Sequence, residues 1–330
     1  MGIRHRLASA YFPRRLERRL LGRRPVGASV LMYHEVLPDS VDLPYWSVVR
    51  ESTFRRQIEY LKAHYQVLPL DELLARLREP AAVSDAGPPM AAITFDDGYA
   101  GNLACAAPIL RTLDLPYTVY IASAQVEQGG LHWYDRVILG LLARGRRPIR
   151  IPTSAGTIKY SPRVFLQDRR WAAIQTVLTQ LKALPEPEHL AIAAALQADH
   201  MPQSLRMLAP DEVRRLSEEP GATIGCHTHG HELLDTIPLE DARRSIMQCQ
   251  EKLTEWSGRP AKHFSYPNGN YSDAVTKLVG DLGFASAVTT ENAIWTPGMD
   301  RLRIPRIGIG RFDNLHLFRA KVAGVFAGTD

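Results

Sequence analysis

The chain has 330 residues, 45% hydrophobic and 23% charged, which supports a buried core and excludes a disordered or collagen-like polymer. Residues 1–24 hold eight arginines against one glutamate, so the other 306 sum to −2 although the whole chain carries +5. The basic character belongs to an N-terminal arm and gives no reason to expect a nucleic-acid partner for the rest. Three cysteines without paired spacing exclude a disulfide framework and point to a reducing compartment.

In chain order, the arm spans 1–28. Within Arg14 to Leu21, Leu16 and Leu20 share one helical face among arginines, a pattern that suits a membrane surface, with a solvated arm as the alternative. No apolar core of signal-peptide length follows the early arginines, and no run of 18 apolar residues is long enough to span a bilayer. Strand-like runs follow at 29–33, 66–69, 92–95, 117–121, 223–226, 263–266, 285–288 and 303–307. Helical patterns lie between them: Phe54, Ile58 and Leu61 behind Thr53 as N-cap, and Ile246, Leu253 and Trp256 within 239–256. Eight strands with crossover-length connections predict an α/β parallel barrel over 29–310, closed by a helix in 311–330. The interval 122–221 is too long for a plain loop and predicts an insertion, with helices at 137–143 and 162–184 and a β-like piece at 148–160. Low complexity is confined to an Ala/Pro-rich loop at 80–89.

Chemistry concentrates in two places. Thr94-Phe95-Asp96-Asp97-Gly98 ends an apolar run, so its carboxylates emerge where a buried strand meets a glycine turn. Neighbouring residues on an extended chain point apart, which suggests a division of labour between one carboxylate that binds a cation and one that takes a proton. His227-Thr228-His229-Gly230-His231 follows a second apolar run. An i, i+4 pair would share a helical face, and His227, His231 and one aspartate would leave a metal with an open coordination position. Cys226 beside His227 reads as core rather than ligand.

Those motifs carry a family resemblance. The chain resembles polysaccharide deacetylases of the nodulation-type chitooligosaccharide deacetylase group, carbohydrate esterase family 4, over 29–310. The first family motif is intact at Thr94 to Gly98 and the second at His227 to His231, while the third is altered to Phe264-Ser265-Tyr266-Pro267-Asn268-Gly269. The resemblance implies an irregular (β/α)7-8 barrel with a helical insertion. It implies one divalent metal held by Asp97, His227 and His231, with Zn2+ as default and Co2+, Ni2+ or Fe2+ also fitting. It further implies Asp96 as base and an oxyanion donor at the Tyr266 backbone or next to it, in a turn fixed by Pro267, Asn268 and Gly269. Two departures matter. No arginine stands three or so residues before the third-motif glycine, and Arg306 is the expected substitute for orienting Asp96. No late catalytic histidine is evident, since His316 opens a final helix. Val30-Leu31-Met32-Tyr33-His34 instead resembles the opening of deacetylases acting on poly-N-acetylglucosamine, making His34 the expected general acid.

The expected reaction is metal-assisted removal of N-acetyl groups from N-acetylhexosamine units of an oligo- or polysaccharide, with Trp133 and Tyr134 as candidate sugar-stacking residues. A cytoplasmic location, peripheral at the inner membrane face, would make the substrate an exopolysaccharide or surface-glycan precursor. Alternatives are deformylation or deacetylation of a lipid-linked amino sugar, ester deacetylation at the same site, and a catalytically silent glycan-binding protein.

Overall fold

The computed structural model describes residues 3–22, 26–41, 43–78, 87–162, 167–197 and 202–328. Parallel strands covered on both faces should read as nearly unbroken apolar runs. Met-Ala-Ala-Ile-Thr-Phe over Met90–Phe95 and Ala-Ser-Val-Leu-Met-Tyr over Ala28–Tyr33 do so, each with all six residues buried. Eight parallel strands form one sheet: β1 (Ala28–Tyr33), β2 (Gln66–Val67), β3 (Met90–Phe95), β4 (Tyr117–Ile121), β5 (Ala222–Cys226), β6 (His263–Ser265), β7 (Ser286–Val288) and β8 (Ile307–Gly308). Their order is β7-β6-β5-β4-β3-β1-β8, with β2 added beside β3. A parallel bridge from Val288 to Ile304 joins β7 to the segment entering β8, so the curled sheet meets itself. This is the irregular (β/α) barrel that the sequence predicts, although the runs at 66–69 and 303–307 are shorter as strands than expected.

Register decides which residues meet at the top. β1 and β3 pair without offset from Ala28–Met90 to Tyr33–Phe95, so the next residues, His34 and Asp96, leave the sheet side by side. Ile121 pairs with Cys226, and Cys226 with Phe264, which places His227 beside Ser265. The helices Glu51–His64 and Leu239–Ser257 cover the outside through apolar residues three and four apart. The first starts at Glu51 with Arg50 at its N-cap, so Thr53 lies inside the first turn and does not cap it.

The interval between β4 and β5 builds a roof with its own core. It holds helices Trp133–Ala143, Gln167–Lys182 and Glu186–Leu196 and an antiparallel hairpin of Ile149–Thr153 with Gly156–Tyr160. Gly140 is required there: a Cβ would lie 1.8 Å from the Leu196 carbonyl oxygen of the neighbouring helix. The helix Pro210–Glu218 belongs to the barrel layer instead, with Val213 and Leu216 in the main core.

The N-terminal arm is folded onto the barrel, in contrast to the solvated-arm reading of the sequence. Helices Ile3–Ala10 and Arg14–Leu21 fold back on the last helix, Leu315–Val322; Ala8 and Phe12 pack with Leu317, Ala320, Ala323 and Phe326. Glu17 is buried and accepts hydrogen bonds from Arg319 and Tyr60. Leu20 is half-buried against this cluster while Leu16 is exposed, so the two do not form one outward stripe. Arg23 and Arg24, residues 80–86 of the Ala/Pro-rich loop and 163–166 of the predicted 162–184 helix lie outside the described residues. No helix among the described residues is long and apolar enough to cross a membrane.

Candidate active site

The division between Asp96 and Asp97 is set by backbone geometry. Asp96 continues β3, its N–H donating to Tyr33 O at 3.0 Å. Asp97 then turns left-handed with φ 76°, and Gly98 follows with φ 85°, so successive carboxylates diverge. The histidine segment is not helical, contrary to the i, i+4 expectation. It is a loop after β5 in which Thr228 (φ 63°) and His231 (φ 62°) are left-handed, and that geometry returns the second imidazole toward the first. The rings of His227 and His231 stand 4.8 Å apart at 81°.

Asp97, His227 and His231 place one donor atom each within 4.8 Å of the others. Asp97 Oδ1 lies 3.4 Å from both Nε2 atoms, buried and with no donor aligned on it. His227 Nδ1 donates to Ser265 O at 2.7 Å, which leaves the Nε2 lone pair facing Asp97. Burial alone would raise the Asp97 carboxyl, but the two imidazoles beside it hold it well below its usual range. A buried carboxylate with an unmatched oxygen and two imidazole nitrogens fits a divalent cation.

Asp96 has a different partner. Arg306, fully buried, donates from Nη1 to Oδ1 at 2.7 Å and from Nη2 to Oδ2 at 2.6 Å. Its remaining donors go to Thr289 O (2.8 Å), Thr94 Oγ1 (3.1 Å) and Ser265 Oγ (3.1 Å). Burial works against the Asp96 charge, and the guanidinium overrides it, holding the carboxyl below its ordinary value. Thus Arg306 does orient Asp96, as expected for the missing third-motif arginine. Ser265 Oγ also lies 3.3 Å from Asp96 Oδ2.

His34 faces the same space, with its Nδ1 buried and unpartnered and its ring 5.8 Å from Trp46. Burial pulls it below its ordinary value, against the two aspartates. His316 is remote: its Nδ1 accepts from Phe12 N at the arm. Tyr266 does not serve as expected. Its N–H donates to Val288 O at 3.1 Å, its hydroxyl to Leu302 O at 3.0 Å, and its ring is buried against Phe264 and Tyr271. Pro267 is also buried and carries no N–H. Asn268, left-handed at φ 57°, lines the pocket and accepts a hydrogen bond from Lys182 of the roof. Cys226 is a buried free thiol in the core.

These groups open into a cavity of about 1120 Å³ between the barrel mouth and the roof. Trp133 and Tyr134 both line it. Trp133 stacks near His189 at 4.7 Å, whereas Tyr134 packs 5.3 Å from His231 and within hydrogen-bonding reach of Asp97. Sequence reasoning missed His132, which is buried, stacks on Tyr134 at 4.9 Å and meets His231 edge-on at 5.0 Å. It also missed Asp135, which accepts from the Tyr45 and Tyr99 hydroxyls beneath the site and which burial pushes up to about 7. No periodic signal marks either one, because His231 and the Tyr45 and Tyr99 hydroxyls reach them from other segments.

A carboxylate gripped by arginine beside an Asp-His-His group that could hold a cation, at the mouth of a parallel barrel, can be compared with known proteins. The family model described as polysaccharide deacetylase matches residues 84–287, a span that includes both aspartates and both histidines but neither His34 nor Arg306. Comparison with curated protein sequences gives no match. Among solved structures the chain is similar to the Streptococcus pyogenes deacetylase PplD in complex with acetate, at 17% identity over 87% of this chain and 94% of that one, TM-score 0.57. IcaB from Ammonifex degensii gives 15%, 87%, 93% and 0.56, and a Bacillus cereus polysaccharide deacetylase gives 17%, 90%, 69% and 0.56. These likenesses show a shared fold, and the family match with its two intact motifs goes further: the chain belongs to the polysaccharide deacetylase family.

Proposed function

We propose that this chain is a metal-dependent N-deacetylase acting on N-acetylhexosamine units of an oligo- or polysaccharide. The observation that carries the reading is the separation of roles between adjacent aspartates: Asp97 belongs to the cation-binding trio, and Asp96 is clamped by Arg306 at the same pocket. A divalent ion held by Asp97, His227 and His231 would supply Lewis acidity toward a water and an acyl oxygen. Asp96, kept ionised by Arg306, takes the proton of the attacking water. His34, with an unpartnered Nδ1 on the same space, delivers a proton to the departing amine. The first free main-chain donor beyond Tyr266 is the Asn268 N–H, since Pro267 has none, and we assign the oxyanion contact to it. Acetate, the ligand of the streptococcal relative, is the acid such a reaction releases.

Trp133, Tyr134 and Trp46 give the pocket ring faces suited to sugar stacking. We place the activity in the making of an exopolysaccharide or surface glycan on the cytoplasmic side, a reading supported by three buried free thiols. The test is metal content together with acetate and formate release from N-acylated oligosaccharides, with His227→Ala as control. Acetate release that depends on one bound divalent ion, and is lost with it, supports the proposal. Formate alone would make the chain a deformylase of an amino sugar. Metal bound normally with no acid released from any N-acylated glycan would favour a silent glycan-binding protein.

A further inference from the structure

The N-terminal helices present a surface that the proposed hydrolysis does not use. Six arginines of the described arm, Arg4, Arg6, Arg14, Arg15, Arg18 and Arg19, are exposed. The one carboxylate among residues 3–22, Glu17, is turned inward and paired with Arg319, so the outer face carries cations without acidic neighbours on its own helices. Among these arginines stand large apolar side chains that remain mostly in solvent: Leu7 and Tyr11 are each 66% exposed, Tyr11 with one edge near the His316 ring, and Leu16 is 45% exposed. Leu7 and Tyr11 are one helical turn apart, with Tyr11 N donating to Leu7 O at 3.0 Å, and they therefore share a face. Leu315 is exposed too, at the start of the last helix and next to Asn314, which bonds to Ser9 of the arm. Four of the nine strongly exposed large apolar residues among the described ones thus lie on the arm or on the first turn of the helix it packs against.

Hydrogen bonds fix where the elbow sits on the barrel. Ser29, at the start of β1, bonds to Val322 at the end of the last helix, while Gln57 links Tyr33, at the end of β1, to Asp313 just before that helix, so the helix runs antiparallel to β1 and begins near the strand ends that carry the site. Its first turn holds the elbow: Asn314 Nδ2 donates to Ser9 O at 2.8 Å, and Phe12 N to His316 Nδ1. The chain just before it, Gly310, packs against Trp46, a lining residue of the pocket. Leu190, also strongly exposed, lies on the roof of that pocket.

We propose that the N-terminal helix pair docks on an anionic lipid bilayer, seating Leu7, Tyr11 and Leu16 in the headgroup layer, and that it holds the pocket mouth near the membrane surface. Arginines supply attraction to anionic headgroups, and the three side chains supply partition into the interface. A polyanion such as a nucleic acid would satisfy the arginines and leave the apolar residues in water. The packing of Phe12 and Glu17 against the last helix makes the element rigid, so docking orients the whole barrel.

The test is cosedimentation of the full chain with phosphatidylcholine vesicles, with and without phosphatidylglycerol. Binding is expected only with the anionic lipid. Arg14→Ala/Arg15→Ala should weaken it about 25-fold, at roughly fivefold per arginine. Leu7→Ser/Tyr11→Ser should weaken it about tenfold or more, because interfacial partition of two apolar groups is lost. Both variants should hydrolyse a soluble N-acetylated oligosaccharide as the parent does, which also shows that they fold. Circular dichroism serves that purpose if the parent proves inactive, so failure of the hydrolase reading leaves the binding result interpretable. Absence of binding to anionic vesicles, or equal binding to neutral ones, overturns the proposal. Full retention by the serine pair with displacement by DNA would replace it with a general polyanion contact.

Discussion

Replacing Arg306 by methionine should damage stability and catalysis together, and pH separates the two effects. The side chain is fully buried, and all its hydrogen-bonding partners are buried as well: both oxygens of Asp96, Thr289 O, Thr94 Oγ1 and Ser265 Oγ. Removing one partner of a buried ion pair leaves the other charge uncompensated, at a cost of about 3–5 kcal/mol. The guanidinium holds the Asp96 carboxyl below its ordinary value, so the pair contributes stability that is fully present above the unfolded pKa of about 4 and is lost as pH falls through the lower folded value. Without Arg306, burial raises the Asp96 pKa, and the native state keeps a proton that the unfolded state gives up. The stability deficit of Arg306→Met should therefore be large at neutral pH and shrink in acid, read by urea unfolding across pH 4 to 8. The acid limb of the hydrolysis profile should move up by about 1–3 units, the usual effect of an adjacent arginine on a carboxylate. A deficit that is constant with pH, or an acid limb that stays in place, would refute the claim that Arg306 acts by keeping Asp96 ionised.

Asp96→Asn should lower acid release by about 10²–10⁴-fold while leaving metal content unchanged by elemental analysis, since the cation-binding trio does not include Asp96. Chelation should abolish turnover of the parent, with recovery on adding zinc or cobalt; activity that survives exhaustive chelation would contradict the cation trap at Asp97, His227 and His231. Burial holds His34 below its ordinary value, so the rate should begin to fall on the alkaline side below pH ~6.5, where this acid loses its proton. His34→Asn should slow turnover and erase that limb, and a variant that keeps it would remove His34 from the acid role. Asp135, pushed up to about 7 by burial, keeps its proton in the native state while the unfolded chain releases it near pH 4. Stability should thus fall as pH rises from about 4 to 7 and then level off, and thermal melts of Asp135→Asn should lose that slope.

The parts of this molecule that are legible in sequence are those in which one segment contains its own reason. The strands β1, β3 and β4 carry the apolar, β-prone signature of parallel strands covered on both faces, and Asp96-Asp97-Gly98 contains the turn that separates its two carboxylates. His227 and His231 were expected to meet through helical spacing, yet they meet because Thr228 and His231 adopt left-handed backbone, a conformation with no periodic trace. Tyr266 was expected to give its N–H to the reaction, but the β6–β7 ladder uses that donor. Glu17, read as one acid in a basic arm, becomes an inward anchor only when Arg319 arrives from 302 residues away. Such pairings are properties of topology, and local pattern does not encode them.

Topology also explains how an altered third motif still leaves Asp96 with an arginine partner. Ser265 sits at the end of β6 beside Asp96, where its short side chain leaves room for a guanidinium from elsewhere. Arg306 fills that room from the segment between the Val288–Ile304 bridge and β8. Its N–H donates to Glu291 O at 2.8 Å and its Nε to Thr289 O at 2.8 Å, so the residue is anchored to the chain leaving β7 before it reaches Asp96. Orientation of the base therefore depends on the two ends of the sheet meeting. A substitution that loosens this junction, such as Thr289→Pro, which imposes a proline where Thr289 N donates to Ile304 O, should lower turnover more than substrate binding. An equal loss in both would show that the junction supports the pocket as a whole and not the aspartate in particular.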